Sequence, residues 1–179
     1  MVLGWLFLGL ETGLRGALSF RVGSLAAAPS FVIPLAVYIA VCAPAPYALW
    51  SCLGLGLAID LLTPFPTDSG TLTVIGPHAL GFLIAGQFVL AVRGLVLRRN
   101  PVTVLALSIP AAAIVNIVVV AILTARHLVG DSIAWEPSAQ LGARMLGSLL
   151  TGVTGLVIGL VLMPLAPALG LYGGPARRR

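Results

Sequence analysis

The chain has 179 residues, 59% of them hydrophobic and only 8% charged, with a formal net charge of +5, whereas a soluble domain of this size carries about 25% charged residues. That balance excludes a water-soluble globular enzyme and marks an integral membrane protein. All ten basic residues are arginine, and in a membrane chain their placement reports topology, not binding of nucleic acid.

The predicted fold class is all-α: a polytopic bundle of about six transmembrane helices at 2–20, 23–42, 47–62, 71–97, 102–125 and 141–165, with a short arginine-containing tail at 171–179. Spans of about 20 residues are needed to cross about 30 Å of hydrocarbon. Six of them use nearly the whole chain, so residues 1–179 read as a single transmembrane domain. The first segment mimics a signal peptide, but it lacks a basic start and carries Glu11 and Arg15, so a retained helix is expected. Those two residues are spaced to pair on one helix face, which lessens the cost of insertion. The first two segments read as short or tilted helices; a single re-entrant element is the alternative and would move the N-terminus to the other side. Cys42 and Cys52 flank Ala43-Pro44-Ala45-Pro46 in apolar surroundings, and no disulfide is inferred from them.

The third span holds the glycine-laced run Leu53-Gly54-Leu55-Gly56-Leu57-Ala58-Ile59-Asp60, in which Gly54 and Ala58 form a small-residue helix-packing pair. An ionised aspartate costs about 2.5 to 3.5 kcal/mol at a lipid-exposed helix centre; Asp60 is therefore expected to face helices or water. The fourth span begins after Gly76-Pro77, with His78 at its start. Asp60 and His78 both fall near the loop joining their helices, so they form a candidate polar cleft. Either they pair, or each satisfies nearby backbone groups or water. Gln87, two and a half turns beyond His78, points to the opposite face.

In the fifth span Ser108, Ala112 and Asn116 make a weakly polar stripe suited to interhelical hydrogen bonds, and Pro110 is expected to bend the helix. The sixth carries Ser148, Gly152, Gly155 and Gly159, a ridge for close packing against another helix of the chain or a separate protein. Arg93, Arg98 and Arg99 follow span four and Arg177, Arg178 and Arg179 follow span six. Two spans separate the clusters, so both lie on one side, cytoplasmic by the positive-inside rule, and both termini with them. Asp68, Asp131 and Glu136 fall on the other side, where Trp135 is an interfacial anchor or a packing residue.

Signatures of catalysis are sparse. Asp60 has no acidic companion in the firm spans for aspartyl hydrolysis, and there is no nucleophile elbow, metal-ligand cluster or phosphate-binding glycine loop. No enzymatic activity, cofactor or nucleic-acid partner is expected.

Pro29-Ser30-Phe31-Val32-Ile33-Pro34-Leu35-Ala36-Val37-Tyr38, then Gly54 to Leu62, then Ile75-Gly76-Pro77-His78-Ala79-Leu80-Gly81-Phe82-Leu83-Ile84-Ala85-Gly86 and a basic loop together resemble the rod shape-determining MreD family, over roughly residues 29–165. Two positions depart from it: Ser30 stands where an acidic or amide residue often follows the proline, and Asn116 stands where an acidic residue can occur in the fifth span. The resemblance implies a scaffold of the bacterial inner membrane that binds MreC, and through it MreB and the RodA and penicillin-binding transpeptidase pair that synthesise peptidoglycan. It also implies a fold like that of the S components of energy-coupling-factor transporters, with a cleft open to the outer side. A small-molecule-binding S component is the alternative function. Pairing of two copies, and whether lipid fills the cleft, stay open.

Overall fold

The computed structural model describes residues 2–14, 16–22, 25–67, 70–96, 100–129 and 137–165. Among them the chain forms six α-helices, α1 (Val2–Leu14), α2 (Val32–Cys42), α3 (Ala45–Leu62), α4 (Pro77–Val92), α5 (Pro101–Val129) and α6 (Pro137–Leu165). Two small antiparallel hairpins interrupt them. β1 (Phe20–Val22) pairs with β2 (Leu25–Ala27) in the register Phe20 to Ala27, and β3 (Phe65–Thr67) with β4 (Gly70–Leu72) in the register Phe65 to Leu72. The first four helices thus repeat one unit twice, helix then hairpin then helix.

Proline sets several of the starts. It lies in the first turn of α3 and α4 and is the first residue of α5 and α6, positions where the missing N–H costs nothing because no intrahelical acceptor exists. Gly76, immediately before α4, has φ of 125°, a conformation open to glycine and strained for other residues.

Three of the expected helical segments are shorter in the structure. The segment expected at 2–20 stops as a helix at Leu14 and turns at residues 16–18. The one expected at 23–42 is helical only from Val32, because β2 and the extended approach through Pro29 precede it. The one expected at 71–97 starts at Pro77, since residues 70–72 are spent in β4. The underlying error is one of kind: apolar runs on either side of a helix read as helix when they are in fact β-hairpin. Helices α3, α5 and α6 are long and apolar enough to cross a membrane. By contrast α2, with 11 residues, extends only about 16 Å. Arg15, Asp68, Arg98, Arg99, Asp131, Trp135, Glu136 and Arg177 to Arg179 lie outside the described residues, and so does the tail at 171–179.

The short α2 is the centre of the core. Nine of its residues are buried, and it touches each of the other five helices, as expected of a helix apolar on all faces. Tyr38, 1% exposed, donates its hydroxyl to the Leu162 carbonyl at 3.0 Å and so ties α2 to α6. Around it α3, α4, α5 and α6 pack in sequence order. The small-residue ridge of α6 lies against α5: a Cβ added at Gly155 would stand 2.7 Å from Ser108 Oγ, and one at Gly159 would stand 3.1 Å from Pro101 Cα. The tightest approach of α3 to α4 is at Gly56, where a Cβ would meet Ala79 Cα at 2.6 Å.

Candidate functional site

Buried carboxylates hold the two helix starts that follow the hairpins. Asp60, fully buried in the last turn of α3, accepts backbone N–H groups of α4 with both oxygens. Oδ2 takes Gly76 N at 2.8 Å and Ala79 N at 3.2 Å; Oδ1 takes His78 N at 3.0 Å and lies 2.7 Å from His78 Nδ1. These N–H groups have no partner inside the helix, and the helix dipole favours a negative charge there. The expected pairing and the expected backbone contact are therefore both present, on one side chain.

Glu11 does the same for α2. It is 5% exposed, and its Oε2 accepts from Phe31 N at 2.6 Å, Val32 N at 3.3 Å and Ser30 Oγ at 3.1 Å. Ser30 Oγ in turn accepts from Ile33 N at 3.3 Å. From α6, Thr151 Oγ1 accepts from Ser30 N and Thr154 Oγ1 donates to Ser30 O. The partner expected for Glu11, Arg15, lies outside the described residues; the carboxylate itself is turned onto the next helix.

These capped ends open on one cavity of about 510 Å³, lined among others by Glu11, Ser30, His78, Asn116, Arg144 and Thr151. Asn116 of α5 bridges to α6, donating from Nδ2 to Arg144 O at 3.2 Å and Ser148 Oγ at 3.0 Å, while Arg144 donates to Asn116 Oδ1 at 3.4 Å. Ser30 and Asn116 thus both stand on the cavity wall. At the other end of α2, Arg93 donates to the carbonyls of Ala40 at 3.2 Å and Ala43 at 2.8 Å, the arrangement a helix C-terminus favours for a cation.

The remaining expected site residues are distributed elsewhere. Ser148 belongs to the Asn116 bridge, whereas Ser108 Oγ is buried without a hydrogen-bond partner among the described residues and fills the close contact with Gly155. Gly152 and Gly159 face α5. Gly54 and Ala58 instead line a second, apolar groove of about 670 Å³ along α1 and α3, beside Trp5, Tyr47 and Trp50. Gln87 is exposed and does not line the cleft. Cys42 and Cys52 are not joined in a disulfide.

Sequence reasoning missed Arg144 and the capping role of Glu11. The first was visible in principle, as an arginine inside the apolar run 141–165 is a functional-site hypothesis by default. The second was not, because the receiving N–H groups are 20 residues away and come within reach only after the β1–β2 hairpin turns the chain back. No family model, curated protein or solved structure matches the chain.

Proposed function

We propose that the chain is a rod shape-determining membrane subunit of the MreD type, a multi-pass scaffold of the bacterial inner membrane that binds MreC and helps organise peptidoglycan synthesis during cell elongation. In this reading the six helices form one membrane bundle, both termini are cytoplasmic, and the protein turns over no substrate. MreB filaments and the RodA and penicillin-binding transpeptidase pair are reached through MreC. Binding would favour one arrangement of MreC over another, since a partner shifts an equilibrium only by unequal affinity for two states.

The observation that carries the reading is the groove along α1 and α3. It is open, apolar and long-walled, with Trp5, Tyr47 and Trp50 each at least 70% exposed at its edge and Gly54 and Ala58 among its lining residues. Small residues let a second helix approach closely in lipid, and MreC contributes one membrane helix. Gly54 is the position to test, because a Cβ there meets nothing within 4 Å. Gly54→Leu fills the groove without disturbing the bundle. Co-purification with MreC from detergent is expected to fall at least about tenfold in this variant, at unchanged yield of the subunit. Equal recovery of MreC with wild type and variant overturns the reading.

The polar cleft favours a second reading, a solute-binding S component of an energy-coupling-factor transporter, because its volume lies in the range of small-molecule sites, about 300–1,000 Å³. Native mass spectrometry separates the two: a retained vitamin-like metabolite supports transport, and its absence beside bound MreC supports the scaffold.

A further inference from the structure

We propose that the cleft at the capped ends of α2 and α4 binds the primary ammonium group of a small amine or lipid headgroup, held by Glu11 Oε1 and His78 Nε2. This adds a ligand class to the cavity on which the second reading rests. It requires no transport, and co-purification of MreC can succeed or fail without touching it.

Two buried acceptors are the first argument. Glu11 is 5% exposed and His78 7%, and both line the cavity. The three hydrogen bonds that Glu11 accepts all fall on Oε2, so among the described residues Oε1 takes none. His78 Nδ1 lies 2.7 Å from Asp60 Oδ1, an oxygen that also accepts His78 N. A carboxylate oxygen in that role only accepts, so Nδ1 carries the ring proton and the neutral imidazole presents Nε2 as an acceptor. A buried acceptor on a cavity wall calls for a donor inside the cavity.

The rest of the wall is the second. Its donors are mostly committed within the protein: Asn116 Nδ2 donates to Arg144 O and Ser148 Oγ, Thr151 Oγ1 to Gly147 O, and Ser30 Oγ to Glu11 itself. Thr12 Oγ1 donates to Leu8 O at 3.1 Å and Ser19 Oγ to Gly16 O at 2.8 Å, which leaves each hydroxyl able only to accept. Arg144 is held by Asn116 Oδ1 and makes a further contact of its own, so that guanidinium already has partners. A wall rich in acceptors and carrying a carboxylate selects a ligand rich in donors and positively charged. A primary ammonium has three N–H donors and no acceptor, and its hydrogen bonds to a carboxylate are of the strong, charge-assisted kind. Size is the third: about 510 Å³ holds a headgroup or small metabolite, with Ile33 and Phe82 offering apolar surface to its carbon body. The same group is found in an ethanolamine lipid headgroup and in a free amine.

The test uses the full chain purified in maltoside, with binding read by native mass spectrometry and thermal shift. The soluble arm is sn-glycero-3-phosphoethanolamine against sn-glycero-3-phosphocholine; the lipid arm is dioleoylphosphatidylethanolamine against dioleoylphosphatidylcholine. Within each pair the charge is the same and only the ammonium hydrogens are replaced by methyl groups. Wild type is expected to prefer at least one ammonium probe over its trimethylated counterpart by at least about tenfold, the worth of one charge-assisted hydrogen bond. Glu11→Gln is expected to abolish that preference and His78→Phe to reduce it, a change that lost stability alone would not produce. Ala143→Trp, which fills the cavity and leaves both acceptors in place, is expected to abolish binding and serves if Glu11→Gln fails to fold. Preference in the soluble arm alone assigns a free amine; preference in the lipid arm alone assigns a headgroup. No preference by wild type in either arm, or an equal preference in wild type and a folded variant, overturns the proposal.

Discussion

At the scale of single residues, the distinctive device is a carboxylate spent on the start of the following helix, used twice. Asp60 accepts Gly76 N, His78 N and Ala79 N and faces His78 Nδ1. Removing it strands several buried donors at once, each costing about 1–3 kcal/mol when unsatisfied. Asp60→Ala is therefore expected to destabilise the folded state by at least about 3 kcal/mol, and His78→Ala, which leaves the three backbone bonds intact, by only about 1 kcal/mol. Unfolding in mixed detergent micelles measures both; equal losses would show that the histidine contact, not the cap, is what Asp60 supplies. Asp60 stood out in the sequence because an acid in an apolar run must be satisfied somewhere. The identity of its partners was half legible, since His78 was near in sequence but the N–H groups of Gly76 and Ala79 carry no side-chain signature.

At the scale of elements, glycines of equal appearance have unequal roles. Gly54 and Gly56 lie two residues apart on α3, yet a Cβ at the first meets nothing within 4 Å, while one at the second runs into Ala79 Cα at 2.6 Å. Backbone cannot yield as a side chain can, so Gly56→Ala pushes α3 from α4. The expected cost is about 1–3 kcal/mol, the usual range for overpacking, against a change within about 0.5 kcal/mol for Gly54→Ala. Thermal unfolding of the two purified variants compares them directly, and similar melting temperatures would contradict the packing described. The run from Leu53 to Asp60 announced close packing without saying which glycine makes it, because that depends on how α3 is rotated toward α4. The ridge of α6 was legible as a ridge; that α5 is its partner was not.

At the scale of the whole molecule, one end of the bundle carries the two hairpins, the capped helix starts and the polar cleft, and the other carries Arg93 on the α2 carbonyls. The positive-inside rule, applied to the arginines along the sequence, predicts that the Arg93 end faces the cytoplasm. With Cys42 and Cys52 replaced by alanine, a cysteine at Ser19, exposed beside the cleft, is expected to react with impermeant maleimide on intact cells. One at Gly94, exposed at the other end, is expected to react only after permeabilisation. The reverse pattern would invert the orientation. Composition by itself determined that the chain suits a membrane: 59% of its residues are hydrophobic and 8% charged, α3, α5 and α6 are long and apolar enough to cross one, and apolar content adds up locally, residue by residue. Only the tertiary structure decided that α2 is a short buried core helix, that hairpins stand where helix was expected, and that Glu11, His78, Asn116 and Arg144 share a cavity. The physical reason is distance along the chain, because residues 11 and 144 come to line one cavity only through the packing of the helices between them, and no local pattern encodes that.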